Sequence, residues 1–423
     1  MTVSDTAYKS YVQILTEELI PAMGCTEPIA IAYAAAKARA ILGAMPAELT
    51  VEVSGNIIKN VKSVVVPHTG GLRGIVSAAA AGTVAGEADK ELEVISNVTD
   101  EQIAMIKDYL QTASIEVRHA DTPHIFDIMI TARRDGETAF VRIAEHHTNL
   151  VCLQKNGETL FEKHIEQKEN GLTDRSFMSV ESIIDFADSV DVEDVAPVLE
   201  RQIEYNMAIA EEGLAKPYGA NIGKTLLKNH GADLSYKMRA YAAAASDARM
   251  NGCEKPVIIN SGSGNQGITT SVPVVVYARE KGLTREELLR GLCVANLVTA
   301  HLKTGIGRLS AYCGAVSAGC GAAAGICYLQ GGRFHAIAHT VVNALAMDSG
   351  IICDGAKASC AAKISSAIDA GLLGLEMYHS GDQFYGGDGL VKKGVENTIA
   401  TIGRLARQGM GPTDKEIIRL MLE

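Results

Sequence analysis

The chain has no tryptophan, only seven phenylalanines and ten prolines in 423 residues, and aromatic side chains make up 5% of it. Yet 47% of the residues are hydrophobic. A large core with so few rings must be built from small side chains, and alanine and glycine dominate the composition. Small residues let helix backbones approach closely, so tightly packed helices are expected. Surplus positive charge is missing too: 39 Lys and Arg face 50 Asp and Glu, a formal net charge of −11. Nucleic acid and anionic membrane surfaces both need a basic face, so neither is expected as a partner. Long apolar runs are absent as well. The stretch 75–86 is too short and too rich in glycine and alanine to span a bilayer. Residues 1–9 are polar and lack the basic-then-apolar pattern of an export signal. The expectation is a cytoplasmic protein acting on a small molecule, and the sequence leaves room for a homodimer. Nine cysteines are an odd count without an export signal, so structural disulfides are not expected. The thiols then serve as core fillers, metal ligands or catalysts.

The chain is long enough for two domains. Residues 8–45 read as helical, with Tyr8, Val12, Leu15 and Leu19 on one face. Met23 to Pro28 interrupt this pattern, and an Ala-rich helix starts near Cys25 to Pro28, where proline is tolerated. From 48 to 165 the texture alternates with period two at 49–54, 114–118, 126–132, 138–144 and 149–154, as half-buried strands do. Helical stretches 72–87 and 99–111 lie between them. Beyond about 175 the pattern is helical again, broken by glycine loops at 217–224, 260–267, 303–308 and 380–389. The fold class is therefore α+β: a mainly α-helical domain from 1–47 and 166–423, with an α+β module inserted at 48–165.

The cysteines sort by setting. Cys152, Cys253 and Cys293 sit in a strand pattern, a polar connection and an apolar helix, where a small buried thiol is the plain expectation. Cys313, Cys320 and Cys327 are seven apart, so a helix would put them on one face, roughly 10–11 Å between neighbours. Adjacent members are too far apart to share one small cluster, so at most one is expected as a ligand. Cys353 and Cys360 flank an Asp354-Gly355 turn, and a looped backbone can fold two thiols toward one centre. Cys25 follows a glycine at a helix start, where free N–H groups and the helix dipole favour a thiolate. The alternative is that Thr26 caps the helix and Cys25 merely precedes it.

Taken together, Gly24-Cys25-Thr26-Glu27-Pro28, the run Ser261-Gly262-Ser263-Gly264-Asn265-Gln266-Gly267, and Cys313, Cys353 and Cys360 resemble the L-cysteine desulfidase family. The segment 170–415 is similar to the α-domain of iron–sulfur L-serine dehydratases. The resemblance implies a [4Fe–4S] cluster held by Cys313, Cys353 and Cys360, with Cys25 as the base. It implies that L-cysteine and water give pyruvate, ammonia and hydrogen sulfide. The residues beside these suit an amino-acid substrate. The glycine run, through Ser261, Ser263 and Asn265, offers N–H groups and hydroxyls for a carboxylate, and it is no P-loop because no Gly-Lys-Ser/Thr closes it. Asn221 and His68 are further candidates for substrate contact. His301 could line the site, Lys357 could balance cluster charge, and Glu27 is read as a helix cap. His146 and His147 follow a strand, where neighbours point to opposite faces, so joint metal binding is not expected. Rival readings are an L-serine dehydratase, whose Ser-rich motif before a histidine is not found here, a non-catalytic iron–sulfur sensor or scaffold, and a hydrolase based on Cys25, for which no His/Asn partner pattern is seen.

Overall fold

The computed structural model describes residues 1–2, 5–24, 26–165, 172–307 and 310–423. The chain builds two hydrophobic cores. Helix α1 (Thr6–Glu18) buries Tyr8, Tyr11, Ile14 and Leu15 on one face and packs into the larger, helical core. The short strand β1 (Pro21–Met23) leads to α2 (Thr26–Leu42). Next come β2 (Glu48–Val53), α3 (Gly55–Val61), α4 (Gly74–Ala85), α5 (Asp100–Thr112), β3 (Ser114–His119), β4 (Asp127–Arg134), β5 (Glu137–Ala144), β6 (Leu150–Lys155) and β7 (Glu158–Glu162).

The last six strands named make one sheet in the order β3-β2-β4-β5-β6-β7. The β2–β3 pair is parallel and the others are antiparallel. A parallel pair needs a crossover, and α3 to α5 supply it. All five expected strands and both expected helices are present. Two elements were not foreseen. Strand β7 is exposed along its whole length and so carries no alternation, and α3 is only seven residues long.

Residues 1–47 do not act as a unit: α1 joins the helical core, whereas α2 joins the core of the sheet. The cause lies in α2 itself, which is buried from Pro28 to Ala36 and has no polar face to turn to water. It needs cover on all sides, and the sheet and α4 provide it. Gly82 of α4 makes the fit, since a Cβ there would lie 2.0 Å from the Ala32 carbonyl oxygen.

The helical part continues with α6 (Val180–Ser189), α7 (Val192–Ala215), α8 (Ile222–His230), α9 (Leu234–Met250), β8 (Pro256–Ile258), α10 (Gly264–Lys281), α11 (Arg285–Ile306), α12 (Gly314–Leu329), α13 (Phe334–Asp348), α14 (Cys360–His379), α15 (Val395–Arg404) and α16 (Gly411–Leu422). Capping boxes at Ser179 and Thr284 start α6 and α11. Small residues set the spacing, as the composition implied. A Cβ on Gly319 of α12 would stand 2.4 Å from the Ala367 carbonyl oxygen of α14.

The cores are joined at several places. Strands β1 and β8 pair antiparallel. Lys59 of α3 forms a buried ion pair with Asp414 of α16. Among the described residues no helix is long and apolar enough to cross a membrane.

Candidate functional site

Cys313, Cys353 and Cys360 come together between α11, α12 and α14. Tyr312 and Ile352 are partners in an isolated antiparallel bridge. The Cys313 N–H donates to the Ile351 carbonyl at 3.0 Å, and the Cys353 N–H donates to that of Ala311 at 2.6 Å. In this register the two cysteines are diagonal neighbours on one face of the clasp, roughly 7–8 Å apart. Cys360 is the first residue of α14, its Sγ 3.5 Å from the Gly355 carbonyl oxygen. Gly355, at φ 93°, turns the chain back, and a Cβ there would lie 1.9 Å from the Lys59 carbonyl oxygen.

Burial pushes the Cys313 thiol up to about 12, and the nearby Cys353 adds to this. Cys360 is raised by burial as well, again with a contribution from Cys353. The three sulfurs therefore feel one another. The helical stripe of three cysteines divides at its end. Cys313 is the N-cap of α12 and half-buried, while Cys320 and Cys327 lie inside the helical core.

A lysine missed in the sequence stands beside them. Lys303 is 5% exposed and donates no hydrogen bond to any described residue. Burial lowers it to about 8, against the opposing pull of Cys353, Cys313 and Glu18. The sequence placed it in a glycine loop, but α11 runs on through it to Ile306. A lysine following Leu297, Val298 and Leu302 was the available signal. Lys357, by contrast, pairs with Asp354 at 3.0 Å, and Lys363 pairs with the same carboxylate.

The glycine run sits at the exit of β8. A buried amide network fixes it. Asn206 both donates to and accepts from the Ile258 backbone, and Asn260 donates to Asn296, which also pairs with Gln202. The Ser261 N–H donates to buried Glu18 at 2.6 Å, and its hydroxyl donates to Asn260 at 2.8 Å. Glu18 is held in turn by Arg175 at 2.5 Å. Ser263 is the N-cap of α10, with no side-chain capping bond. Asn265 accepts from Arg249 at 3.2 Å and from Ser246 at 3.4 Å. Gln266 is 5% exposed, and its Oε1 has no partner among the described residues. Its amide lies against Gly314, where a Cβ would be 2.5 Å away.

Cys25 itself lies outside the described residues; the residues on either side of it are described. The Gly24 carbonyl accepts from Arg249 at 2.8 Å. Gly24 packs against Pro67, and His68 follows, at φ 57° and 3.1 Å from Glu254. Thr26 is 2.9 Å from His147 Nε2, and Glu27 accepts from Asn60 at 3.2 Å. The inserted module thus walls this side, and α3 touches both arms: Asn60 meets Glu27, and Lys59 meets Gly355.

Two other candidates are engaged elsewhere. Asn221 is in the left-handed region at the start of α8 and accepts from the Tyr218 N–H of its own turn at 3.1 Å. His301 pairs with Glu396 at 2.7 Å.

Residues 89–419 match the family described as serine dehydratase alpha chain. Over almost the whole length the chain is similar to UPF0597 proteins. That of Desulfitobacterium hafniense is 58% identical over 99% of this chain and 97% of the relative. That of Treponema denticola is 51% identical over 100% of both, and that of Lachnoclostridium phytofermentans is 50% identical over 98% and 100%. A helical body that gathers three cysteines beside a glycine-rich helix start, and a family match covering most of it, lead to one conclusion: the chain belongs to the serine dehydratase alpha chain family.

Proposed function

We propose that this protein is a carbon–sulfur lyase of the L-cysteine desulfidase type, with Cys313, Cys353 and Cys360 holding a [4Fe–4S] cluster and Cys25 acting as the base. The observation that carries this is the Tyr312–Ile352 clasp, which sets two thiols on one face with the third at the start of α14. The donor set fits such a group. Burial and the neighbouring thiols raise Cys313 and Cys360, so iron bound there would displace their protons. No group of three His, Cys, Asp or Glu among the described residues suits a single ion. Held by Cys313, Cys353 and Cys360, such a cluster would supply a Lewis acid for the departing sulfur.

The chain's own residues do the rest. Cys25 precedes the seventeen-residue α2, whose N-terminal dipole favours a thiolate able to take the α-proton. Loss of sulfide from Cβ leaves aminoacrylate, and water converts this to pyruvate and ammonia. Ser261 is spent on Glu18 and Asn260, so it shapes the loop, while Ser263 and Asn265 face the substrate. His68 follows Pro67, which meets Gly24, and is the further substrate contact proposed, whereas Asn221 stays in its own turn at the start of α8.

The test is anaerobic reconstitution, followed by iron and sulfide analysis and by pyruvate assays with L-cysteine and L-serine. Brown protein that turns over L-cysteine faster is expected. Full activity in an iron-free preparation would defeat the proposal. The family match favours a second reading, elimination of water from L-serine. Turnover of L-serine without L-cysteine would select it.

A further inference from the structure

We infer that Arg249 anchors the carboxylate of an α-amino acid at the first turn of α10. This deepens the proposed function and rests on its reading of the site as one for an amino acid. Arg249 lies in the last turn of α9 and is only 9% exposed. Its hydrogen bonds go to neutral oxygens, the Gly24 carbonyl and the Asn265 side chain, and its Nε is buried without a partner. No carboxylate pairs with it among the described residues. Arg142 and Arg175 instead meet carboxylates, Asp127 and the pair Glu17 and Glu18, while Arg39 and Arg201, which like Arg249 donate only to neutral oxygens, are half-buried rather than buried. A buried cation without a counter-charge is expensive, so the fold keeps this one for an anion that arrives with the ligand.

The surroundings suit a carboxylate. Gly264 opens the eighteen-residue α10, whose first N–H groups and dipole favour negative charge. A Cβ on Gly264 would lie 2.4 Å from Arg249 Nε, so only glycine leaves the guanidinium its place. A second buried side chain supplies the opposite chemistry. Gln266, two residues on, has an unpartnered Oε1 acceptor and lies against Gly314, next to Cys313. An α-amino acid carries both complements, a carboxylate for Arg249 and an ammonium for Gln266. Arg249 also holds the Gly24 carbonyl, and Gln266 lies against Gly314, so the anchor sits between the Gly24 turn and the start of α12.

The experiment measures binding and turnover separately. Cluster-free protein is titrated with 3-mercaptopropionate, which has no amine, and with cysteamine, which has no carboxylate. Wild type is expected to bind 3-mercaptopropionate, and Arg249→Met to weaken that binding roughly 10- to 100-fold with cysteamine unaffected. On reconstituted protein the same variant should raise the KM for L-cysteine far more than it lowers kcat, with iron content unchanged. Arg249→Lys, which keeps the charge and loses the fork, should weaken 3-mercaptopropionate at least fivefold at unchanged Tm, and it carries the test if the Met variant does not fold. Wild-type binding of 3-mercaptopropionate by either folded variant would overturn the assignment. The probe titrations need no turnover, so they judge the anchor even if the lyase reading fails.

Discussion

Cys313, Cys320 and Cys327 share a spacing but not an environment. Only Cys313 stands outside the helix, at its cap, where its thiol can turn toward Cys353 and Cys360. Alanine at Cys313, Cys353 or Cys360 should each remove most of the iron after anaerobic reconstitution. Alanine at Cys320 or Cys327 should keep the iron and cost about 1–2 kcal/mol in urea unfolding, the price of a small cavity. A second residue sets a pH dependence. Asp247 is buried behind α8, accepts from the Gly223 N–H at 3.1 Å, and has its other oxygen unpartnered. Burial raises its carboxyl from 3.8 to about 6. The folded state then binds more protons than the unfolded state between those values, so stability falls as pH rises through that window. Asp247→Asn should leave stability at pH 3.5 unchanged and raise it by about 2 kcal/mol at pH 7.5, measured by urea unfolding at both. The sequence singles out the cysteines as candidates through their motifs. Arg249, Gln266 and Lys303 were not legible, because what marks them is the lack of a partner, and that exists only once the chain is folded.

At the scale of elements, the scarcity of rings and the wealth of glycine translate into helix spacing. Helices α12 and α14 touch through Gly319 and Gly371, backbone against backbone. Gly319→Ala should push them apart and cost about 2–3 kcal/mol, seen as a lower urea midpoint. Because α12 begins at Cys313 and α14 at Cys360, the variant should also loosen iron binding, which a chelator competition would register. Strand alternation and helix starts could be read directly, since β2 to β6 each present one face to a core. Strand β7 escaped because all its residues are exposed, and the early end given to α11 came from treating its last glycine as a loop.

For the molecule as a whole, the decisive surface lies between the two cores. The sequence placed the boundary at residue 47, but the chain changes core between α1 and α2, at the strand that precedes Cys25. Which core an alanine helix joins depends on where cover exists, and pattern alone cannot show that. The site draws on both cores: α2 and α3 from one, and α10, α12 and α14 from the other. Lys59, 2% exposed, helps hold them through Asp414. Asp414→Ala would leave that amine buried and unpaired at a cost of about 3–5 kcal/mol. The expected outcome is a lower Tm and a thermal transition that separates into two steps in calorimetry.

The clasp at Tyr312 and Ile352 also bears on how such a centre would be assembled. Two thiols far apart in sequence are tied by main-chain hydrogen bonds rather than by a ligand, so each sees the other at a high effective concentration before any iron arrives. Capture of metal by the pair is then an intramolecular event with little loop entropy left to lose. That register makes the two cysteines diagonal neighbours, a spacing at which a disulfide closes only with backbone movement, so Cys313 and Cys353 should stay unpaired with each other in air.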